Sequence, residues 1–166
     1  MRKSIVLIAA FLLLLNLKPA YAQSSPNGKQ LGFGIVFGEP FGATLKYWTH
    51  DDNAYAVELG SSYFGSPRLG VDYLWHFNAF DTKNANLYAG PGAALGFGNG
   101  SGLWNKNIEK LHRDSGVGLG IRGVFGADFM PEKTQFEIFF EVGLLIGITP
   151  NFGSAGDAAL GVRFYP

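Results

Sequence analysis

The sequence predicts an all-β protein, an eight-stranded antiparallel up-and-down β-barrel that crosses a membrane. Three observations support this prediction. Bulky apolar residues alternate with small or charged ones along most of the chain, the two faces of each alternating segment differ in kind, and a leader typical of exported proteins precedes them. The 166 residues include 24 glycines, 16% charged residues and no cysteine. This length predicts one domain, and the composition excludes a disordered chain, a basic nucleic-acid-binding protein and any disulfide framework.

The first 22 residues have the features of a cleaved secretory signal peptide. A basic pair at residues 2–3 precedes an apolar run over residues 5–15, and Ala20-Tyr21-Ala22 matches a small-residue cleavage site. The apolar run is shorter than the ~20 residues that a membrane-spanning helix needs. We therefore expect residues 1–22 to be removed and residues 23–166 to form the barrel domain.

Eight segments of alternating residues follow the leader. They cover residues 30–38, 42–49, 54–64, 68–77, 86–98, 117–130, 136–149 and 157–165. The breaks between them carry Gly, Pro, Asp and Asn, which are the residues that favour turns. A bilayer-crossing strand needs about 9–11 residues, and eight is the smallest common strand number among outer-membrane barrels. The segments therefore predict one strand each.

The composition of the two faces indicates which face points inward. In the fourth segment, one face carries Leu69, Val71, Tyr73, Trp75 and Phe77, whereas the other carries Arg68, Gly70, Asp72, Leu74 and His76. A water-exposed surface would carry charges more often, whereas glycine between occasional charges suits a narrow lumen. Lipid offers no hydrogen-bond partners, and a sheet that closes into a barrel pairs all of its backbone N–H and C=O groups internally. We expect the bulky face to meet lipid. A soluble periplasmic ligand-binding barrel, with the faces reversed, is an alternative.

The inward face predicts a network of paired charges. Its members are Lys46, Glu58, Asp72, Arg122, Glu137, Glu141 and Arg163, with Arg68, Asp128 and Asp157 on the same face. We expect Lys46 to face Glu58, Arg122 to face Glu141, and Arg163 to lie near Glu137. An ion path or gate is one interpretation of this network. Side chains just fill the interior of an eight-stranded barrel, so we interpret the network as a plug.

The connection over residues 99–116 is the longest, and it falls outside the cell when both termini are periplasmic. Trp104, Ile108 and Leu111 recur at i, i+4 and i+7, which predicts one stripe of a short helix. We expect this stripe to contact an external macromolecule of a host or of the envelope. A lid packed on the barrel rim is the alternative.

The sequence indicates no catalytic residue, no cofactor and no metal ligand. Gly118-x-Gly120-x-x-Gly123 matches a dinucleotide fingerprint in its letters only, because it lies inside a predicted strand. His112-Arg113-Asp114-Ser115 has the residue types of a hydrolase site, but adjacent loop residues rarely converge on one reacting atom. We expect a protein that is not an enzyme, and a lipid-modifying outer-membrane enzyme is the alternative.

From residue 23 onward, the chain resembles the small outer-membrane barrels of the OmpA transmembrane-domain and OmpX type in size, strand number, alternation and lumen charges. Gly38-Glu39-Pro40-Phe41-Gly42 and Lys46-Tyr47-Trp48 also resemble a family of small bacterial envelope proteins. The resemblance implies an outer-membrane location, contact with outer-membrane lipid, insertion by the barrel-assembly machinery, and a structural or adhesive role. Such proteins usually end in an aromatic residue, whereas this chain ends in Phe164-Tyr165-Pro166. We expect a monomer.

Overall fold

The computed structural model describes residues 28–78, 80, 82, 84–104, 109–131 and 133–166. The strands are β1 (Leu31–Gly38), β2 (Phe41–Trp48), β3 (Asn53–Ser62), β4 (Gly65–Phe77), β5 (Ala85–Phe97), β6 (Gly100–Trp104), β7 (Lys110–Arg113), β8 (Val117–Phe129), β9 (Phe136–Thr149) and β10 (Gly153–Phe164). Within the residues described, no helix is both long and apolar enough to cross a membrane. The predicted signal peptide, residues 1–22, lies outside the described residues.

Eight of these strands form a closed antiparallel barrel, which confirms the predicted fold class. The order around the barrel is β1-β2-β3-β4-β5-β8-β9-β10, and β10 pairs with β1 to close it. Closure gives each of the eight strands a neighbour on both sides, so backbone groups are satisfied within the barrel wall. The turns after β2, β4 and β8 lie at one end with the start of β1 and the end of β10, and we call this the terminal end.

The opposite end carries a feature that differs from the prediction. Between β5 and β8 the chain forms the hairpin β6–β7, in which Leu103 pairs with Leu111 and Trp104 pairs with Lys110. The predicted helical stripe is therefore wrong for Trp104 and Leu111, because the two residues lie on different strands, and Ile108 lies outside the described residues. We call this the hairpin end of the barrel.

Strand pairing explains why this segment is extended rather than helical. Strand β10 begins at Gly153, earlier than the predicted residue 157, whereas its partner β1 ends at Gly38 opposite Ala159. The first residues of β10 therefore extend beyond β1 and present a free edge. Strand β6 lies against this edge and pairs through Trp104 and Ser154. Covering an open edge in this way is a common protection for sheets.

The faces have the predicted orientation. Bulky apolar side chains lie on the outside, where Ile35, Phe140 and Leu160 remain about half exposed (53%, 52% and 52%). The charged residues on the opposite face are buried inside the barrel, and Lys46 and Arg163 are both 0% exposed. An outer surface of this kind suits lipid and does not suit water. The alternative of a soluble barrel with an apolar interior is therefore contradicted by the orientation of the faces.

Apolar clusters close both ends of the interior. Trp48, Ala54, Met130 and Tyr165 form a cluster at the terminal end. Phe64, Ala94, Leu103 and Leu145 form another cluster at the hairpin end. The buried charges lie in the space between these two clusters. The barrel thus holds its polar groups in an interior that is capped by apolar side chains on both sides.

Candidate functional site

One set of buried charges lies toward the terminal end, and we call it the Lys46–Arg163 group. Lys46 Nζ lies 2.9 Å from Asp128 Oδ2 and 3.1 Å from Glu137 Oε1. Arg163 Nη1 lies 2.7 Å from the same oxygen of Glu137. His76 Nε2 lies 3.2 Å from Asp128 Oδ2. Each residue is buried, and the hydrogen bonds of Lys46 and Arg163 to Asp128 and Glu137 fix the packing of this part of the lumen.

A second set lies toward the hairpin end and is centred on one arginine. This Arg122 group comprises Arg68, Arg122, Glu58, Asp72, Glu141 and Asp157. The guanidinium of Arg122 lies 2.6 Å from Glu141 Oε1, 3.3 Å from Asp157 Oδ1 and 3.5 Å from Glu58 Oε2. It also donates to Asp72 Oδ2. One cation is thus shared by four carboxylates from four different strands.

The structure brings together some of the predicted pairs and not others. Arg122 contacts Glu141, and Arg163 contacts Glu137. The predicted pairing of Lys46 with Glu58 is wrong. In the β2–β3 register Lys46 lies opposite Ala56, and its long side chain crosses the lumen to carboxylates on β8 and β9.

Several neutral side chains belong to the same network, although sequence reasoning did not assign them to it. Tyr88 donates to Glu141 Oε2 over 3.0 Å, Tyr165 donates to Glu137 Oε2, and Thr44 Oγ1 accepts from Arg163. Thr44 and Tyr88 follow the inward parity of their strands, and Tyr165, one residue after β10, continues the parity of that strand. Position within the alternation could therefore have identified them, whereas their residue type alone could not.

The hairpin β6–β7 folds over the mouth of the barrel. The backbone N–H of Ser101 donates to the carbonyl oxygen of Tyr63 over 2.7 Å. Leu103 packs among Phe64 and Leu145, with Leu111 against the same cluster. A cavity lined by Phe64, Leu103 and Leu111 has a volume of about 10 Å³, which is about the minimum that one water molecule needs. The hairpin therefore acts as a lid that seals this end of the lumen.

Arg113 fastens the lid to the barrel rim. Its Nη2 donates to the carbonyl oxygens of Phe64 (2.8 Å) and Gly96 (3.1 Å), and its Nε donates to that of Gly98 (3.0 Å). The guanidinium also lies 5.6 Å from the centre of the Phe64 ring.

Partial burial lowers the pKa of Arg113 from its usual value. Burial, followed by the negative charge of Asp157, raises the pKa of the nearby Tyr63 hydroxyl, which stays neutral.

We expect Arg113→Ala to release the lid while leaving the barrel folded. The substitution removes three hydrogen bonds from a charged donor, each worth about 1.5–3 kcal/mol. Hydrogen exchange at the backbone amides of residues 100–104 should become at least about tenfold faster, because each 1.4 kcal/mol changes an opening equilibrium about tenfold. Lys110→Ala, on the exposed side of the same hairpin, is the matched control and should leave exchange unchanged. Equal exchange in Arg113→Ala and the wild type would contradict the role given to Arg113.

The residues predicted to contact a partner do not share one face. Trp104 is 47% exposed, whereas Leu111 pairs with Leu103 and its side chain packs against the buried cluster that contains Leu103. Of these two residues, only Trp104 is therefore exposed on the outer surface of the hairpin.

Two of the four candidate hydrolase residues, His112 and Arg113, make other contacts. His112 Nδ1 lies 3.2 Å from the carbonyl oxygen of Lys110, and Arg113 binds three backbone carbonyls. His112 is therefore not oriented toward Ser115 by a hydrogen bond in the described structure. This arrangement gives no support to the enzymatic alternative.

Comparison with known proteins bears on the fold. No protein-family model matches the sequence, and no curated protein matches it. Among solved structures, the N-terminal β-barrel domain of Pseudomonas aeruginosa OprF is similar, with a TM-score of 0.58 and 15% sequence identity over 82% of this chain and 96% of that chain. The fold is that of an outer-membrane β-barrel. At this identity the similarity shows the fold of the barrel alone, and it agrees with the resemblance to OmpA-type barrels found in the sequence.

Proposed function

We propose that the protein is an integral outer-membrane barrel with a structural and adhesive role. A signal peptide over residues 1–22 directs export, the barrel-assembly machinery inserts the chain, and lipid covers the apolar outer face. The terminal end faces the periplasm and the hairpin end faces the outside. The observation that carries this proposal is a sealed, ion-paired lumen combined with an exposed aromatic residue on the hairpin that covers it.

The sealed lumen supports a structural role over transport. The charged residues of the Lys46–Arg163 group contact one another, and apolar clusters cover both ends of the interior. A solute would have to displace both the lid and several buried ion pairs. Removing one partner of a buried ion pair costs about 3–5 kcal/mol, and neighbouring members of a network strengthen one another further.

The outer surface of the hairpin end supports an adhesive role. Trp104 is 47% exposed, and Phe152, two residues before its pairing partner Ser154, is 76% exposed. Exposed aromatic side chains are enriched where proteins bind other macromolecules, because they bury a large area at small entropic cost. The partner in this proposal is a macromolecule of a host surface or of a neighbouring envelope, bound by one copy of the barrel.

The location is tested first by fractionating cells and running the outer-membrane fraction on a gel with unboiled and boiled samples side by side. A closed barrel that resists detergent should migrate differently before boiling. We expect such a shift in the outer-membrane fraction, with a mature chain that begins at Gln23. Recovery of the protein in the soluble periplasm, without a shift, would overturn the proposed location and the orientation of the two faces.

The adhesive role is tested by Trp104→Ala. Truncating a central aromatic contact residue typically costs at least about 2 kcal/mol, so binding to host-cell monolayers or to neighbouring cells should weaken about tenfold or more. The comparison requires equal amounts of barrel at the cell surface. Phe80→Ala is the matched control, because Phe80 is 55% exposed at the opposite end of the barrel. Unchanged adhesion in Trp104→Ala would exclude this surface as the adhesive one.

A further inference from the structure

The carboxylates of the Arg122 group outnumber the cations that contact them. Glu58, Asp72, Glu141 and Asp157 provide four negative charges, whereas Arg68 and Arg122 provide two positive charges. The Lys46–Arg163 group, in contrast, balances two carboxylates with two cations. Within the described part of the lumen, two negative charges near Arg122 therefore have no counter-charge. Buried charges without compensation are costly, so a further positive charge is required there.

Two carboxylate oxygens of this group also have no hydrogen-bond donor. Glu58 Oε1 and Asp72 Oδ1 are buried and have no partner among the residues that the structure describes, and both residues are 1% exposed. Arg122 does not serve them, because it contacts the other oxygen of each carboxylate, Glu58 Oε2 and Asp72 Oδ2. Buried acceptors in folded proteins nearly always have a partner. These two oxygens are therefore available to a ligand.

The position of Asp72 depends on a glycine in the neighbouring strand. Gly92 lies opposite Asp72 in the β4–β5 register, and a Cβ atom at position 92 would lie 1.8 Å from Asp72 Oδ1. Any larger residue would displace this oxygen. The sequence thus keeps open the space that the unpaired oxygen occupies.

We propose that Glu58, Asp72 and Glu141 bind one Ca²⁺ ion inside the lumen. One carboxylate oxygen of each residue lies within 4.8 Å of those of the other two. Oxygens that bind one Ca²⁺ at about 2.3–2.6 Å lie at most ~5 Å apart, so the three carboxylates are close enough to share this ion. A set of oxygen ligands only suits a hard cation, and the charge of Ca²⁺ cancels the two unbalanced negative charges. The site is independent of the proposed adhesive role.

The first test measures bound metal directly. The mature barrel is refolded in detergent with Ca²⁺, freed of unbound ion by gel filtration and analysed by elemental mass spectrometry. We expect about one Ca²⁺ per chain in the wild type and at least a tenfold lower content in Glu58→Gln. Asp114→Asn, which removes an exposed carboxylate after β7, is the control and should keep the ion. The gel shift on boiling confirms that each variant is folded.

A spectroscopic test locates the ion. The Tyr88 hydroxyl lies 3.0 Å from Glu141 Oε2, so a Tb³⁺ ion in the site would be close enough to the phenol ring for sensitised luminescence. We expect luminescence from the wild type that Ca²⁺ displaces and that Tyr88→Phe removes, because the phenol ring is the sensitiser. A folded wild type that keeps neither Ca²⁺ nor Tb³⁺ would overturn the proposal. An infrared band of protonated carboxyl groups would then show that protons neutralise the two excess negative charges. Equal metal content in wild type and folded Glu58→Gln would also overturn it. If Glu58→Gln does not fold, the wild-type metal content and the Tb³⁺ signal still decide the question.

Discussion

Replacing Arg122 with methionine is expected to destabilise the barrel severely. Among the described residues, Arg122 is the one cationic side chain that contacts all four carboxylates, those of Asp72, Glu141, Glu58 and Asp157. Without it, four buried carboxylates share Arg68 alone. Removing one partner of a buried ion pair costs about 3–5 kcal/mol, which is a large fraction of the ~5–15 kcal/mol that stabilises a typical domain. We expect the free energy of unfolding to fall by about 5 kcal/mol or more, the upper end of the range for one ion pair, because four contacts are lost together.

Urea unfolding in detergent, followed by tryptophan fluorescence and by the gel shift on boiling, measures this effect. Arg122→Lys keeps the charge but loses the planar fork, so its urea midpoint should lie between those of the wild type and Arg122→Met. Lys110→Met removes an exposed cation from β7 and serves as the control for loss of charge alone. An Arg122→Met barrel with the wild-type midpoint would show that the arginine does not organise the lumen.

Placing arginine at Val142 is expected to have the second largest effect. Val142 lies near the middle of β9 on the outer face and is 41% exposed. A charged side chain at the bilayer midplane of a barrel costs about 2–4 kcal/mol, whereas one near the interface costs ~0–1 kcal/mol. Val117→Arg introduces the same change at the first residue of β8, toward the hairpin end, and provides the matched control.

Urea titration of the folding equilibrium in phospholipid vesicles measures the stability of the two variants and distinguishes a membrane barrel from a water-soluble one. If lipid surrounds the outer face, Val142→Arg should be clearly less stable than Val117→Arg. In a water-soluble barrel both positions are exposed surface, and surface substitutions usually change stability by less than about 0.5 kcal/mol. Equal stabilities for the two variants would therefore contradict a membrane location for the outer face around Val142.

The orientation of the faces could be predicted because it depends on local alternation. In β4, the parity that places Arg68, Asp72 and His76 on one face also places Val71 and Trp75 on the other, and the structure buries the first set and exposes the second. Such parity needs no knowledge of which strands are neighbours. The same parity would have assigned Tyr88 and Tyr165 to the interior.

Contacts across the lumen could not be predicted in this way. Lys46 was predicted to pair with Glu58 because both lie on adjacent strands, but its Nζ lies beside Asp128 and Glu137, which are 82 and 91 residues away in sequence. In a narrow barrel, a long side chain can reach the opposite wall as easily as the adjacent strand. Which carboxylate Lys46 reaches depends on the stagger between strands, and this stagger cannot be determined from a single sequence.

The hairpin β6–β7 was missed for a different reason. The spacing of Trp104, Ile108 and Leu111 fits a helical period, and the segment is too short for alternation to outweigh it. Its extended form follows from the free edge of β10, which exists only because β1 ends at Gly38. A property of two distant strands therefore decides the local structure of this connection.

The short pairing between the first and last strands also bears on how the barrel assembles. Strand β1 meets β10 only from Phe33–Phe164 to Gly38–Ala159, whereas β9 meets β10 along the whole of β10, from Gly153 to Phe164. The closing seam joins the most distant parts of the chain, so its loop-closure entropy is the largest in the fold. Hairpins between successive strands should therefore form first and this seam last. Before that step, β1 and the final strand each offer an unsatisfied edge, and it is there that a folding catalyst would have to engage the chain.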